Sequence, residues 1–405
     1  MTEPFIPTFR KYNRNMYILV EGIEKADCFY IIQQGKVRIT RNIMIKGERD
    51  EILNAGDFFG VISAMSGHNH IETAQALTDV VLISVRLNQY PALIQKSSQV
   101  AVNILKYFSR RLRHLNKLLA QYTLKNIADI GSSHLFNVAE YYNSQSLPKL
   151  ALHAYSKYIE YCPSGNCIAQ ARAKIEEIKR TNPAIMKSGF APDSISRTYE
   201  KNTMLFAEGE PGEEFFIIQS GSVKISKIVD YKEIILAILE SGDITGEMAL
   251  LEGKPRDACA IAYENTAVRV VNKANFEMMI NSQPRLVARV TTLLSERIWL
   301  IYKQLANSLI DDPVYCVYDA LLIHLEKNKA PLNSRDSYTF NFGQSELVNM
   351  VGLPKQDGML IVDRLIKGKK IKILGNKIQV ASVVDFVKQV NYYKKMASIK
   401  KAEHL

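Results

Sequence analysis

Tryptophan occurs once in this 405-residue chain and cysteine five times, and no apolar run is long enough to cross a bilayer. The cysteines (Cys28, Cys162, Cys167, Cys259, Cys316) are odd in number and scattered, which excludes a disulfide framework. Cys162 and Cys167 have no second pair or histidine cluster beside them, so no metal site is expected. The opening residues, MTEPFIPTFRKYNRN, lack the hydrophobic segment of a signal peptide. Together these absences predict a reduced, cytoplasmic chain with no membrane partner. Also missing are a glycine-rich triphosphate loop and a nucleophile–base pair, and with them the grounds for an enzyme or a cofactor.

What is present is a soluble composition, 47% apolar and 23% charged, in a chain long enough for two to four domains. The net charge of +11 permits a polyanionic partner without requiring one. The chain also repeats itself. FYIIQQGKVRI (29–39) lies over FFIIQSGSVKI (215–225), and the same offset of 186 sets NAGDFFG (54–60) over ESGDITG (240–246). Short Ile, Val and Phe runs between Gly35, Gly56 and Gly60, and again between Gly221, Gly242 and Gly246, predict antiparallel strands in a sandwich or barrel.

A helix follows each strand-rich block. Leu105, Phe108, Leu112, Leu115, Leu119 and Tyr122 recur in steps of three and four, and Leu294, Ile298, Ile301 and Leu305 do so at about Pro284 to Asn307. This regularity predicts seams that pair helix to helix, either between chains as a homodimer or within one chain. Between the blocks, Ala139, Tyr142, Ala151, Tyr155, Tyr158 and Pro163 fall at the spacings of a tetratricopeptide repeat, read as a structural spacer.

GEMALLEGKPRDA (246–258), preceded by FFIIQSGSVKI, resembles the phosphate-binding cassette of the cyclic-nucleotide-binding domain. That domain is found in the bacterial cyclic-AMP receptor (Crp/Fnr) family and in protein kinase A regulatory subunits. The resemblance implies a short helix opening at Gly246 and Glu247, with Met248 and Ala249 in its first turn and backbone N–H groups facing a cyclic phosphate. It gives Glu247 the ribose 2′-hydroxyl and Arg256 the phosphate oxygens. Asp257 departs from the family, which places Ser, Thr or Ala there before Ala258. Its carboxylate could face the ligand and weaken binding, turn to solvent, or accept from a base amino group or clamp Arg256. The family reads the base from the long helix, at positions held here by Ile301 and Tyr302. In the first repeat Val61 and His70 replace Glu247 and Arg256, with Ile71 and Glu72 following, which predicts a copy without ligand chemistry. His68 and His70 read there as exposed loop residues.

The C-terminal segment resembles the winged helix-turn-helix of the same family. Gln344 to Met350 reads as one helix, Gly352 as the turn, Pro354 as the first position of a second helix, and IKILGNKIQV (371–380) as a hairpin. The family's base-reading positions hold Lys355, Gln356 and Leu360, with Asp357 and Asp363 on the same element. Lys367, Lys369, Lys370, Lys372 and Lys377 could hold phosphates.

The expected fold is thus α+β. It has two jelly-roll-like barrels each followed by a long helix, a small helical insert and a C-terminal winged helix-turn-helix. The expected boundaries are 1–125, 126–190, 191–310 and 311–405. The function this implies is a transcription regulator responsive to cyclic AMP or another cyclic nucleotide, acting on double-stranded DNA as a homodimer through the long helices. The alternative is a signalling scaffold whose helical and winged surfaces bind proteins.

Overall fold

The structure is a computed structural model that describes residues 5–23, 26–41, 50–124, 134–183 and 195–403. The first repeat contains β1 (Thr8–Tyr12), β2 (Tyr17–Leu19), β3 (Cys28–Gln34), β4 (Val37–Thr40), β5 (Glu51–Leu53) and β6 (Phe58–Phe59). A short helix α1 (Val61–Ser66) follows, then β7 (Thr73–Ala76), β8 (Val80–Arg86), α2 (Tyr90–Lys96) and the long α3 (Ser98–Leu124). The strands form two antiparallel sheets, β1-β8-β3-β6 and β2-β7-β4-β5. Tyr30, Ile32 and Leu82 of one sheet share a buried core with Leu19, Val37, Ile39 and Ala74 of the other, so the alternation seen in sequence closes on one interior.

Helices α4 (His134–Ser144), α5 (Pro148–Tyr161) and α6 (Ile168–Thr181) make the insert. Ala139, Ala151 and Ala154 are fully buried with Tyr142 and Tyr155, small residues admitting the close approach that the tyrosines fill. Met204, Ala207, Ile228, Cys259 and Ile261 of the second repeat belong to this same core.

That second repeat copies the first strand for strand. It consists of β9 (Ser196–Tyr199), β10 (Met204–Phe206), β11 (Glu214–Ser220), β12 (Val223–Val229), β13 (Lys232–Leu239), β14 (Ile244–Thr245), α7 (Glu247–Glu252), β15 (Cys259–Ala262) and β16 (Thr266–Asn272). Its sheets run β14-β11-β16-β9 and β10-β15-β12-β13. Gly35 and Gly221 turn the equivalent hairpin in each repeat with φ of +92° and +78°. A Cβ at either would overlap a backbone carbonyl.

Next come α8 (Lys273–Ser282) and α9 (Pro284–Ser308). The chain divides into two compact units that cut both long helices: Met1–Leu112 with Asn272–Tyr302, and Arg113–Val271 with Lys303–Leu405. The first barrel therefore shares its unit with α8 and most of α9, and the second with the end of α3. Leu105, Phe108, Leu112 and Leu115, and Leu294, Ile298, Ile301 and Leu305, are all 0% exposed in the single chain. The stripe expected to pair between chains is already covered within one.

The C-terminal lobe has α10 (Pro313–Lys327), β17 (Tyr338–Thr339), α11 (Gln344–Val351), α12 (Lys355–Lys367), β18 (Ile371–Leu374), β19 (Lys377–Val380) and α13 (Val383–Glu403). Asp312 caps α10 by accepting from the N–H groups of Val314 and Tyr315 at 2.9 and 3.1 Å. Gly352, at φ +72°, ends α11, and Gly358 lets α12 close onto Val348. Ile235 and Ile238 of β13 belong to the lobe's core, and the Lys327 ammonium donates to the Ile238 carbonyl at 3.3 Å.

His324, on α10, is buried against Phe342, with ring centroids 4.7 Å apart. Burial, with Lys327 adding to it, pushes its pKa down to about 3. The unfolded chain binds a proton near pH 6.5 that the folded chain refuses. Folding stability is therefore expected to fall as pH drops from about 6.5 toward 3, by at most about tenfold in the equilibrium constant per pH unit. Denaturation midpoints of wild type and His324→Phe at pH 7 and pH 5 check this. The variant should show the flatter dependence.

Candidate functional site

The second repeat's cassette is built around one buried guanidinium. Gly246, at φ +87°, turns the chain into α7, and Gly253, at φ +64°, ends it. Glu247, Met248 and Ala249 are buried in its first turn, and Ala258 lies buried just before β15. The Arg256 N–H donates to the Glu210 carbonyl at 2.8 Å, and the Arg256 carbonyl accepts from Gly209 at 2.9 Å, which fixes the loop. Its guanidinium lies 4.3 Å from the Phe206 ring centroid and donates through Nη1 to the Gly246 carbonyl at 2.6 Å. A Cβ on Gly212 or Gly246 would overlap it, so these two glycines form its slot.

Arg256 is 5% exposed, its Nε has no hydrogen-bond acceptor, and no carboxylate pairs with it among the described residues. Burial draws its pKa below the ordinary value against the pull of Glu210, Glu214 and Glu247. Two of those carboxylates have other partners: Glu214 holds Arg197 at 2.6 and 3.0 Å, and Glu210 lies 3.0 Å from His153 of α5. A buried guanidinium without a counter-ion is costly, and an anion delivered to it offsets that cost.

Asp257 takes none of the three directions considered from sequence. Its Oδ2 accepts from Asn116 at 2.9 Å, and its Oδ1 lies 3.4 Å from both Arg113 and Lys227. Lys227 in turn holds Glu208 at 2.9 Å, and Glu208 holds His134 of α4 at 3.1 Å. Burial pushes the Asp257 carboxyl up despite Lys227, Asn116 and Arg113. For Lys227 burial is outweighed by Glu208 and Asp257, and its pKa is raised. Arg113 also reaches Glu252 at 3.2 Å and the Pro255 carbonyl at 3.3 Å. The carboxylate beside the site arginine is thus a tie to the end of α3.

Arg113 and Asn116 were not picked out by sequence reasoning, yet a signal existed. The 186 offset sets them over Trp299 and Tyr302 of α9. In the first unit Trp299 stacks on His68 at 3.7 Å, and the Tyr302 hydroxyl donates to Glu21 at 3.2 Å. Each long helix therefore serves the cassette of the other repeat through equivalent positions. Ile301 and Tyr302, expected to read a base in the second repeat, belong to the unit of the first. His68 and His70 are corrected as well: the first is stacked and the second is 5% exposed.

The first repeat keeps the cassette's backbone, with Gly60 at φ +73° and Gly67 at φ +69° bounding α1. Val61 is buried where Glu247 stands in the second. Residues 9–97 and 196–283 match the family model of the cyclic nucleotide-binding domain.

The chain carries two cyclic nucleotide-binding domains. It is 28% identical over 170 residues to the anaerobic regulatory protein of Bacillus subtilis, covering 42% of this chain and 62% of that one. It is 22% identical over 273 residues to the cAMP-dependent protein kinase regulatory subunit of Candida albicans, covering 67% of this chain and 43% of that one. The chain thus spans less than two thirds of the length of either. The cyclic AMP receptor protein of Thermus thermophilus is 23% identical over 201 residues, 47% of this chain and 90% of that one. The first two are named as regulatory proteins and the third as a cyclic AMP receptor.

Beyond the two cyclic nucleotide-binding domains, α12 presents Lys355, Gln356, Asp357, Leu360, Asp363 and Lys367 to solvent. Lys369, Lys370 and Lys372 are exposed too, whereas Lys377 is half-buried, 3.5 Å from Asn341. Arg364, exposed on the same helix, falls outside the family's reading positions. Among the described residues there is no cluster of three metal-ligating side chains, and no helix is long and apolar enough to cross a membrane.

Proposed function

We propose that the chain is a DNA-binding transcription regulator whose second cyclic nucleotide-binding domain takes cyclic AMP, while the first takes no nucleotide. The observation that carries this reading is Arg256, buried, still cationic and without a counter-ion among the described residues beside the α7 turn. A cyclic phosphate carries one negative charge and acceptor oxygens at the spacing a guanidinium fork serves. In this reading Glu247, in the same turn, accepts the hydrogen bond of the ribose hydroxyl. Ala258 and the Met248–Ala249 backbone close the turn. The α11–α12 pair with its β18–β19 hairpin acts as a winged helix-turn-helix, α12 entering the major groove and the hairpin lysines meeting phosphates. Because Leu105, Leu112, Ile298 and Leu305 are covered within one chain, sedimentation at micromolar concentration should show a monomer.

Duplex retention measured against salt, with and without cyclic AMP, tests the regulator reading. Lys355→Ala and Gln356→Ala are expected to relax sequence preference. Lys369→Ala and Lys370→Ala should weaken every sequence alike and lower the salt slope by about one each. A second reading rests on Leu360, 58% exposed between Asp357 and Asp363 on the presented helix, a surface that also suits a protein. No retention at low salt with saturating nucleotide would favour that scaffold reading.

A further inference from the structure

The first cyclic nucleotide-binding domain holds an ion pair inside its barrel. Arg41, just after β4, places Nη2 3.1 Å from Oε2 of Glu72, and the two side chains are 6% and 5% exposed. The other carboxylate oxygen of Glu72 accepts the N–H of Gly60 at 2.8 Å, and Glu51 stands 3.6 Å from Arg41 on the more open side. The space left over is a cavity of about 20 Å³ lined by residues that include Ile39, Phe58, Val61, Glu72 and Tyr107, room for one water. In the second domain Ala258 aligns with Glu72, and Lys227 with Arg41.

We propose that Glu72 is a built-in ligand: its carboxylate permanently fills an anion site made by Arg41 and the Gly60 N–H, closing the first domain to nucleotide. The comparison with a cyclic phosphate rests on the reading of the second domain, but the anion site itself stands on Arg41 and Gly60. The arrangement accounts for the substitutions around it. A glutamate in place of Val61 would set a second carboxylate beside Glu72 in a buried site, where like charges repel strongly. An arginine in place of His70 is not needed, because Arg41 already supplies the cation. A carboxylate tethered to the chain is present at an effective concentration on the order of millimolar or more, so dilute free anions do not displace it.

The test is chemical rescue in the full chain. Glu72→Ala takes the buried acceptor from Arg41 and Gly60 and leaves room for a small carboxylate. Its melting temperature should fall, and acetate should raise it progressively relative to chloride at equal ionic strength, as expected for a ligand that binds only the folded state. Wild type, its site filled, should not distinguish acetate from chloride. Glu72→Gln should lose stability without rescue, because the amide occupies the space. A Glu72→Ala protein as stable as wild type, or one for which acetate and chloride are equivalent, would overturn the proposal. Should Glu72→Ala not fold, Arg41→Met and Glu72→Gln decide it singly and together: the double variant should lose clearly less than the two losses combined, and additive losses would refute the pairing. Nucleotide enters neither readout, so a second domain that fails to bind cyclic AMP leaves this result standing.

Discussion

Arg256→Ala is expected to lower cyclic-nucleotide affinity by about tenfold to a few hundredfold while leaving the unliganded chain as stable as before, or more so. The first part follows from losing charge-assisted hydrogen bonds, each worth about 1.5–3 kcal/mol. The second follows from burial: Arg256 has no carboxylate partner among the described residues, so removing it relieves a desolvated charge. A purely structural arginine would behave in the opposite way, losing stability first. Arg256→Lys should fall between, keeping the charge and losing the planar fork. Calorimetry for affinity and thermal melts without ligand separate the two effects. His70→Ala in the first domain should leave nucleotide affinity unchanged.

Asp257→Ala is expected to do the reverse, destabilising the chain by about 3 kcal/mol, the lower end of what breaking a buried ion pair costs. Lys227 keeps Glu208, which sets the lower figure, while Arg113 and Asn116 lose the acceptor that ties α3 to the cassette loop. Sequence alone suggests that a hydroxyl at this position would tighten nucleotide binding by removing a repelling charge. The structure turns that expectation around: with the carboxylate directed at two cations and an amide, Asp257→Ser should unfold earlier and gain nothing in affinity. Arg113→Ala, partly exposed, should cost less, and its loss should not add to that of Asp257→Ala because both remove one contact. Denaturant melts of the two single variants and the double variant check this.

What could be read in advance followed distance along the chain. The strands and the cassette are local, so glycine turns, alternating apolar runs and a motif of thirteen residues sufficed to locate Glu247 and Arg256. The orientation of Asp257 could not be read, because Arg113 and Asn116 are more than a hundred residues away and only the folded chain brings them together. Glu72 escaped for another reason. A carboxylate one position beyond the expected ligand residues is indistinguishable from a surface charge until Arg41 and Gly60 are seen against it. The docking surface of the C-terminal lobe is legible in the sequence. IILAIL (234–239) is a strand without alternation, the pattern of a strand covered on both faces, and Ile235 and Ile238 are what the lobe packs on. The shared stripes of α3 and α9 were read correctly as apolar, and periodicity says nothing about whether the partner lies in the same chain.

The most direct test is the stoichiometry of cyclic AMP binding by titration calorimetry on the full chain. One nucleotide per chain, lost in Arg256→Ala and kept in Glu72→Gln, is the predicted result. Two nucleotides per chain, or heats unchanged by Arg256→Ala, would contradict an account in which one domain is open and the other is filled by its own carboxylate.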